Sequence, residues 1–289
     1  MSDRHTLVVV SYYNAVPPDR LDNLLWQLAR IPAGCTFDVV VVINRALDQA
    51  VSIEDKYPQV RFLYRPNNGY NIGAWQHGWQ ENPGYDAYVF LQDECLIARQ
   101  GWLRSLVRRA ASGKGKLVGE SLVDPAESWE QSQASYEDFY ARSGLAPARW
   151  SDDGGDLNTP NAVRRFLRSQ AIPSEPTMRH LRSLVLCAPG HVLTAMGGFP
   201  AGNSYRDAVG AEVGCSQRAT ACGFSVEQAA LLPYTFVIHP QWMAERCDAR
   251  TGRGVMQALF RRWVPTSARL RLRSARRRWR TRSLGPALP

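Results

Sequence analysis

Leu7-Val8-Val9-Val10-Ser11-Tyr12-Tyr13-Asn14 is the stretch on which the reading of the fold turns. Four apolar, mostly β-branched residues with no polar alternation predict a strand buried on both faces, as in a parallel sheet, and the run ends in four residues able to hydrogen-bond. The pattern then repeats outward. Leu21, Leu24, Leu25 and Leu28 have helical spacing, closed off by Pro32 and Gly34. Phe37 to Ile43 predicts a second strand, Ala46 to Lys56 a short helical stretch and Val60 to Tyr64 a third strand. Strand-helix-strand-helix-strand implies the α/β class, with a mostly parallel sheet flanked by helices. Tyr85 to Leu91 is a fourth strand. It runs directly into Gln92-Asp93-Glu94, at the C-terminal edge where open α/β sheets bind ligands.

Beyond that edge, Gly101-Trp102-Leu103 opens a helix with Leu106 and Val107 on one face. Residues 120–182, rich in Ser, Asp, Glu, Trp and Pro, interrupt the alternation and read as inserted helices and loops of the kind that carry specificity. Strand character returns at Leu184 to Cys187. Helices are expected at His191 to Met196 and Gly210 to Cys222, with a last strand from Tyr234 to Ile238 that ends at His239. The domain reading is therefore 1–245 as one α/β domain and 246–289 as a helical or disordered tail.

Composition agrees with this division. A chain of 289 residues with 45% hydrophobic content can bury one large core. The formal charge of +9 suggests a nucleic-acid partner until it is mapped. Residues 261–289 hold ten arginines and no acidic residue, and removing those ten charges leaves the first 260 residues at −1. The basicity belongs to the tail, which disfavours a nucleic-acid function for the domain. Six cysteines, with no paired spacing, indicate neither a zinc ribbon nor a disulfide framework. The N-terminus enters a strand almost at once, without a basic and then apolar leader, so a cytoplasmic location is expected. No segment reaches the roughly 20 apolar residues of a spanning helix. Membrane contact is thus expected only at the periphery, on the inner face, through 261–289, whose arginines are preceded by Leu259 and Phe260 and interleaved with Trp263, Val264, Leu270, Leu272 and Trp279.

Four further segments, taken with the first, resemble the family 2 glycosyltransferases, inverting enzymes of GT-A (Rossmann-like) fold that use nucleotide-diphospho-sugars. Ser11-Tyr12-Tyr13-Asn14 is similar to the family's stretch after strand one, which touches the nucleotide. Asn68-Gly69 through Gly73-Ala74-Trp75-Gln76-His77-Gly78 resembles its N-x-G-x-A-x-A-R-N-x-G segment, with Trp75 and Gln76 in place of Arg and Asn. A glycine-containing turn into a helix presents backbone N–H groups and a helix N-terminus to a diphosphate. Val89-Phe90-Leu91-Gln92-Asp93-Glu94, followed by Gly101-Trp102-Leu103, is similar to the acidic D-x-D motif and its following P-G-W-L. Depending on whether one counts forward from Leu91 or back from Gly101, Gln92 or Asp93 takes the first motif position. Gly197-Gly198-Phe199 and then Glu212, Arg218 and Gly223 match G-G-F and E-D-x-x-L-x-x-R-x-x-x-x-G, with Glu212 standing for the aspartate base.

The resemblance implies roles residue by residue. Glu212 would be the general base for an acceptor hydroxyl. Asp93 and Glu94, joined by His239, would hold a divalent Mg or Mn ion against the diphosphate. Ser11, Tyr12, Tyr13, Asn14, Asn44, Asn67, Asn68, Gly69, Asn71, Gly73, Gln76, Gln92 and Asp93 would line the donor. Asn44 stands where the family commonly has an acidic reader of the base, so the nucleotide stays open. The implied partners are a nucleotide-diphospho-sugar and a saccharide or lipid-linked saccharide acceptor in surface polysaccharide, lipopolysaccharide or glycoconjugate synthesis. Trp129, Tyr136 and Trp150 in the insertion can stack on sugar rings or pack internally. Two alternatives stay open: a non-catalytic nucleotide-sugar-binding or scaffold protein of the same fold, and a GT-A nucleotidyltransferase. The glycine-free Ser11 to Arg20 segment argues against the latter.

Overall fold

The computed structural model describes residues 5–46, 53–143 and 159–243. Strand β1 (Thr6–Tyr13) leads through α1 (Asp19–Arg30) to β2 (Phe37–Arg45), then β3 (Arg61–Pro66), α2 (Tyr70–Gln80), β4 (Ala87–Gln92), β5 (Leu96–Ile97) and α3 (Trp102–Ala110). There follow β6 (Lys116–Gly119), β7 (Leu122–Val123), α4 (Trp129–Ser143), α5 (Pro160–Ser169), β8 (His180–Leu181), β9 (Val185–Pro189) and α6 (Gly190–Met196), then α7 (Tyr205–Ala221), β10 (Ser225–Gln228) and β11 (Val237–Ile238). Seven strands form the main sheet in the order β10-β6-β9-β4-β1-β2-β3. The pairs β1/β2, β2/β3, β1/β4 and β6/β10 are parallel, and β9 runs antiparallel between β4 and β6.

Alternation along the strands divides the core into two layers. Val8, Val10, Tyr12, Val41, Ile43, Val89 and Leu91 face one side, with the α1 leucines and with Trp102, Leu103 and Leu106 of α3. Leu7, Val9, Val40, Val42, Tyr88 and Phe90 face the other, with Trp75 of α2 and Ala211 and Cys215 of α7. This is why the sequence runs are continuously apolar rather than alternating. Leu21, Leu24, Leu25 and Leu28 are all buried, each contributing roughly 2 kcal/mol of transfer free energy. Buried Gln27 on the same helix accepts from the Ile97 N–H at 2.7 Å and so ties α1 to β5.

The structure changes several sequence expectations. The last strand is Val237–Ile238 rather than Tyr234 to Ile238, and it pairs antiparallel with β5, outside the main sheet. Residues 120–182 are not only helices and loops, since β7 and β8 pair within them. Strands β6 and β10 carry no strong pattern of their own and are recruited as neighbours of β9 and of each other. Helix α7 begins at Tyr205, five residues before the expected start at Gly210, because Ser204 and Asp207 form a reciprocal capping box. Of the helical stretch expected at 46–56, residues 47–52 lie outside the described residues, and Glu54–Lys56 is a single 3-10 turn. Trp150 and the 246–289 tail also lie outside them.

One buried carboxylate holds the segment that leads to β11. Glu120, directly after β6, accepts from the N–H of Thr235 at 2.8 Å on one oxygen and from Phe236 at 3.1 Å and Val237 at 3.0 Å on the other. Burial nevertheless pushes its carboxyl up to about 7, the three N–H donors pulling it partly back. The folded chain therefore keeps a proton that the unfolded carboxyl loses above its ordinary value of 4.5. This group's contribution to stability is fully present below that value and is lost as pH rises through about 7. Glu120→Gln cannot titrate, so its melting temperature is expected to fall less over that interval than that of the natural chain. Equal slopes in a thermal melt series would contradict this.

Candidate active site

Parallel pairing brings the C-terminal ends of four strands to one edge. Ser11 lies opposite Val42 and Gln92, Tyr13 opposite Asn44, and Asn44 opposite Arg65. Ser11 is buried, and its hydroxyl donates to the Leu91 carbonyl at 3.3 Å. Tyr12 is buried with its phenol on the Val16 carbonyl, and burial followed by the Asp93 and Asp19 charges raises its pKa. Tyr13, 40% exposed, is the member of the group that projects into solvent. Asn14 steadies the neighbouring strand end, its side-chain oxygen accepting from the Ala46 N–H at 2.7 Å.

Asn44 is placed at this edge but is already engaged. Its amide donates to the Tyr70 carbonyl at 3.0 Å and accepts from Arg65 at 2.8 Å, while Arg65 also donates to the Asn68 carbonyl at 2.6 Å. Half-buried Arg65, which sequence reasoning missed, thus braces the Asn67–Gly73 turn. Gly69 adopts φ +76° at the start of α2, and a side chain on Gly73 would meet the Asn68 carbonyl oxygen at 2.2 Å. Both glycines are required by the turn itself. Gln76 points elsewhere, its side-chain oxygen accepting from the Phe199 N–H at 2.6 Å in the Gly197-Gly198-Phe199 turn. Trp75 is fully buried and donates to the Leu91 carbonyl at 3.0 Å, so its position is structural.

Gln92 has a role that an aspartate at the same position lacks. Its amide nitrogen donates to the Ser183 carbonyl at 2.8 Å while its oxygen faces His239 Nε2 at 3.3 Å. A carboxylate only accepts and would turn an oxygen onto the Ser183 carbonyl. Asn71 donates to the same carbonyl at 2.9 Å, and the Ser183 hydroxyl donates to Glu212 at 2.6 Å. Ser183 therefore joins the C-terminal edge of the sheet, through β4 and α2, to the carboxylate on α7. The other Glu212 oxygen lies 3.3 Å from His180 Nε2, and 24% of the glutamate side chain is exposed. Burial raises the Glu212 pKa, but the His180 and Ser183 contacts outweigh it and hold the carboxyl below its ordinary value.

The antiparallel β5/β11 pair sets Glu94 and His239 side by side, with Ile238 opposite Leu96. Glu94 lies 3.6 Å from His239 Nε2 and forms an ion pair with Arg20 in the first turn of α1. Arg20 is the second residue missed from sequence, since nothing local connects it to a glutamate 74 positions away. Burial pushes the Asp93 carboxyl up to about 6, against its own backbone N–H and the Arg20 charge. It lowers His239, only 1% exposed, to about 4, with Arg20 adding to the effect.

Among the described residues no group of three or more His, Cys, Asp or Glu converges. The described residues thus offer a divalent cation at most two such side chains together, and the remaining positions would fall to water and phosphate oxygens, as is usual for Mg2+ at nucleotides. Glu94 suits that task once Arg20 is displaced. His239 Nδ1 accepts from the Gln241 N–H at 3.3 Å, so Nε2 carries the proton, and the ring must change tautomer to bind a cation through Nε2.

The sequence model of the family described as Glycosyl transferase family 2 matches residues 7–167, more than half of the chain. Among solved structures, the chain is similar to the mannosyltransferase PcManGT from Pyrobaculum calidifontis in complex with GDP-Man and Mn2+, at 17% identity and TM-score 0.46 over 78% of this chain and 54% of that one. It is also similar to glucosyl-3-phosphoglycerate synthase from Mycobacterium tuberculosis in complex with Mn2+, UDP and glucosyl-3-phosphoglycerate, at 16% identity and TM-score 0.46 over 89% and 79%. For S. aureus TarS 1-349 in complex with UDP the identity is 20% and the TM-score 0.32 over 40% and 34%. The chain spans about half the length of the mannosyltransferase. No curated protein sequence matches it.

Replacing Gln92 by Leu leaves the Ser183 carbonyl with Asn71 alone and removes the acceptor for His239. Chemical denaturation is expected to show a loss of about 1–3 kcal/mol. A variant as stable as the natural chain would mean that the bridge contributes nothing.

Proposed function

Since the chain belongs to glycosyl transferase family 2, we propose that it moves a sugar from a nucleotide-diphospho-sugar to a hydroxyl acceptor with inversion at the anomeric carbon. The observation that carries this reading is the path Gln92–Ser183–Glu212, which ties a carboxylate on α7 to the ligand-binding edge of the sheet. The Ser11–Asn14 strand end and the Asn67–Gly73 turn would take the nucleotide and diphosphate, with Asn44 and Arg65 shaping that side. Glu94 and His239, beside Asp93, would hold Mg2+ or Mn2+, which when bound neutralises charge on the leaving diphosphate. Arg20 stands at the same place with a permanent positive charge.

In the transfer, Glu212 takes the proton of the acceptor hydroxyl as that oxygen bonds to C1 from the face opposite the nucleotide. The bond between C1 and the phosphate oxygen breaks, and its electron pair leaves with the diphosphate. Inversion follows from this single displacement. The acceptor, a saccharide or lipid-linked saccharide, would be chosen by residues 120–182. Among the described residues no helix is long and apolar enough to cross a membrane, so the 261–289 arginines are the proposed attachment to an anionic surface. Co-sedimentation of the full chain with anionic vesicles, lost on truncation after residue 260, is expected; equal behaviour of the two chains would sink the attachment.

A second reading, nucleotide-sugar binding without turnover, is favoured by one feature: both Glu212 oxygens and one Glu94 oxygen already have protein partners. Two measurements separate the readings. Thermal shifts with UDP, GDP, CDP and dTDP, with and without Mn2+, should single out one nucleotide, and the shift should vanish in Glu94→Ala. On the sugar donor so identified, Glu212→Gln should retain binding and lose about 10²–10⁴ in kcat. Product NMR should show the anomer opposite to the donor's. Binding with no turnover in the natural chain would support the second reading, and a retained anomer would exclude single displacement.

A further inference from the structure

His180 lies beside Glu212 in a place the fold has built for it. Two consecutive residues of α7 fasten its segment: Ser216 accepts from the Leu181 N–H at 2.9 Å, and Gln217 donates to the carbonyls of Arg179 at 3.0 Å and Thr177 at 3.3 Å. The buried ring is then oriented by one further contact, Nδ1 to the Met178 carbonyl at 2.8 Å. A carbonyl oxygen only accepts, so Nδ1 carries a hydrogen. That leaves Nε2 aimed at a Glu212 oxygen 3.3 Å away. A bare nitrogen lone pair facing a bare carboxylate would be repulsive. The contact is attractive when one proton lies between them.

We propose that His180 is a positioning residue of the transfer reaction, its Nε2 sharing a proton with one Glu212 oxygen while the Ser183 hydroxyl binds the other. This rests on Glu212 being the base proposed above. A carboxylate clamped at both oxygens has a single orientation. Each oxygen keeps a second lone-pair direction, and 24% of the glutamate side chain is exposed. His180 acts through Glu212, in the way that outer partners orient a reacting group. The same clamp is coupled to the donor edge, because the residue holding the second oxygen receives Gln92 and Asn71 on its carbonyl.

The test begins without substrate. In the full chain with 15N-labelled histidine, the spectrum contains five histidines, and the His180 signals are those absent from His180→Gln, or from His180→Asn should the first variant fail to fold. Nδ1 should appear protonated, and the Nε2 signal should move on Glu212→Gln. An Nε2 signal identical in the natural chain and Glu212→Gln would overturn the shared proton. On the donor identified by the nucleotide panel, His180→Gln should lower kcat about tenfold to a hundredfold with the donor KM unchanged. In the Glu212→Gln background the same substitution should cost nothing more; an additive loss would mean that His180 acts independently. Full turnover by Glu212→Gln would instead remove the base assignment, while the NMR comparison would still report on the clamp.

Discussion

The constraint on which everything else depends is the position of β1 between two parallel partners, with helices over both faces. Its residues from Thr6 to Tyr12 are buried, so every peptide group must pair within the sheet and every side chain must suit one of the two apolar layers. A slip of one residue would exchange Val8 and Val10 with Leu7 and Val9 and disturb both layers together. Register is thereby determined. The edge at which Ser11, Asn44, Arg65 and Gln92 meet is a consequence of hydrophobic packing in the interior.

On that edge the chain uses neutral amides where a carboxylate would be expected. Gln92 donates and accepts at once, and Asn44 does the same between Tyr70 and Arg65. Each amide bonds a donor and an acceptor at once, and each joins two elements. The acidic charge that remains sits on Asp93, Glu94 and Glu212, and the fold treats these differently. Asp93 has its pKa raised by burial, Glu94 is matched by Arg20, and Glu212 is held ionised by His180 and Ser183. The exposed Arg20–Glu94 pair adds little stability. What it does is set a permanent positive charge beside Glu94 at this edge.

Two small structures outside the main sheet complete the site. The β5/β11 pair sets His239 next to Glu94, and Glu120 caps the three N–H groups just before it. The β7/β8 pair carries His180 to Glu212, with Ser216 and Gln217 of α7 securing the connection. Both pairs are too short to stand alone, so their stability is borrowed from the core they lie against.

The sequence by itself determined what depends on near neighbours. Apolar runs announced β1, β2 and β4 and leucine spacing announced α1, because strand and helix periods are properties of a few consecutive residues, while Glu212 stood out only through the family motif that its interval to Arg218 and Gly223 resembles. Only the tertiary structure decided what depends on distant ones. Gln92 meets His239 across 147 positions and Ser183 across 91, and Arg20 meets Glu94 across 74. Weakly patterned β6 and β10 became strands only because a neighbour offered unpaired backbone groups, and the partner of β11 was likewise set by packing. Ser183 and His180 carry no local signal, since a serine hydroxyl or an imidazole acquires its role from the carboxylate it faces, and the packing of α7 against β8 alone sets that meeting.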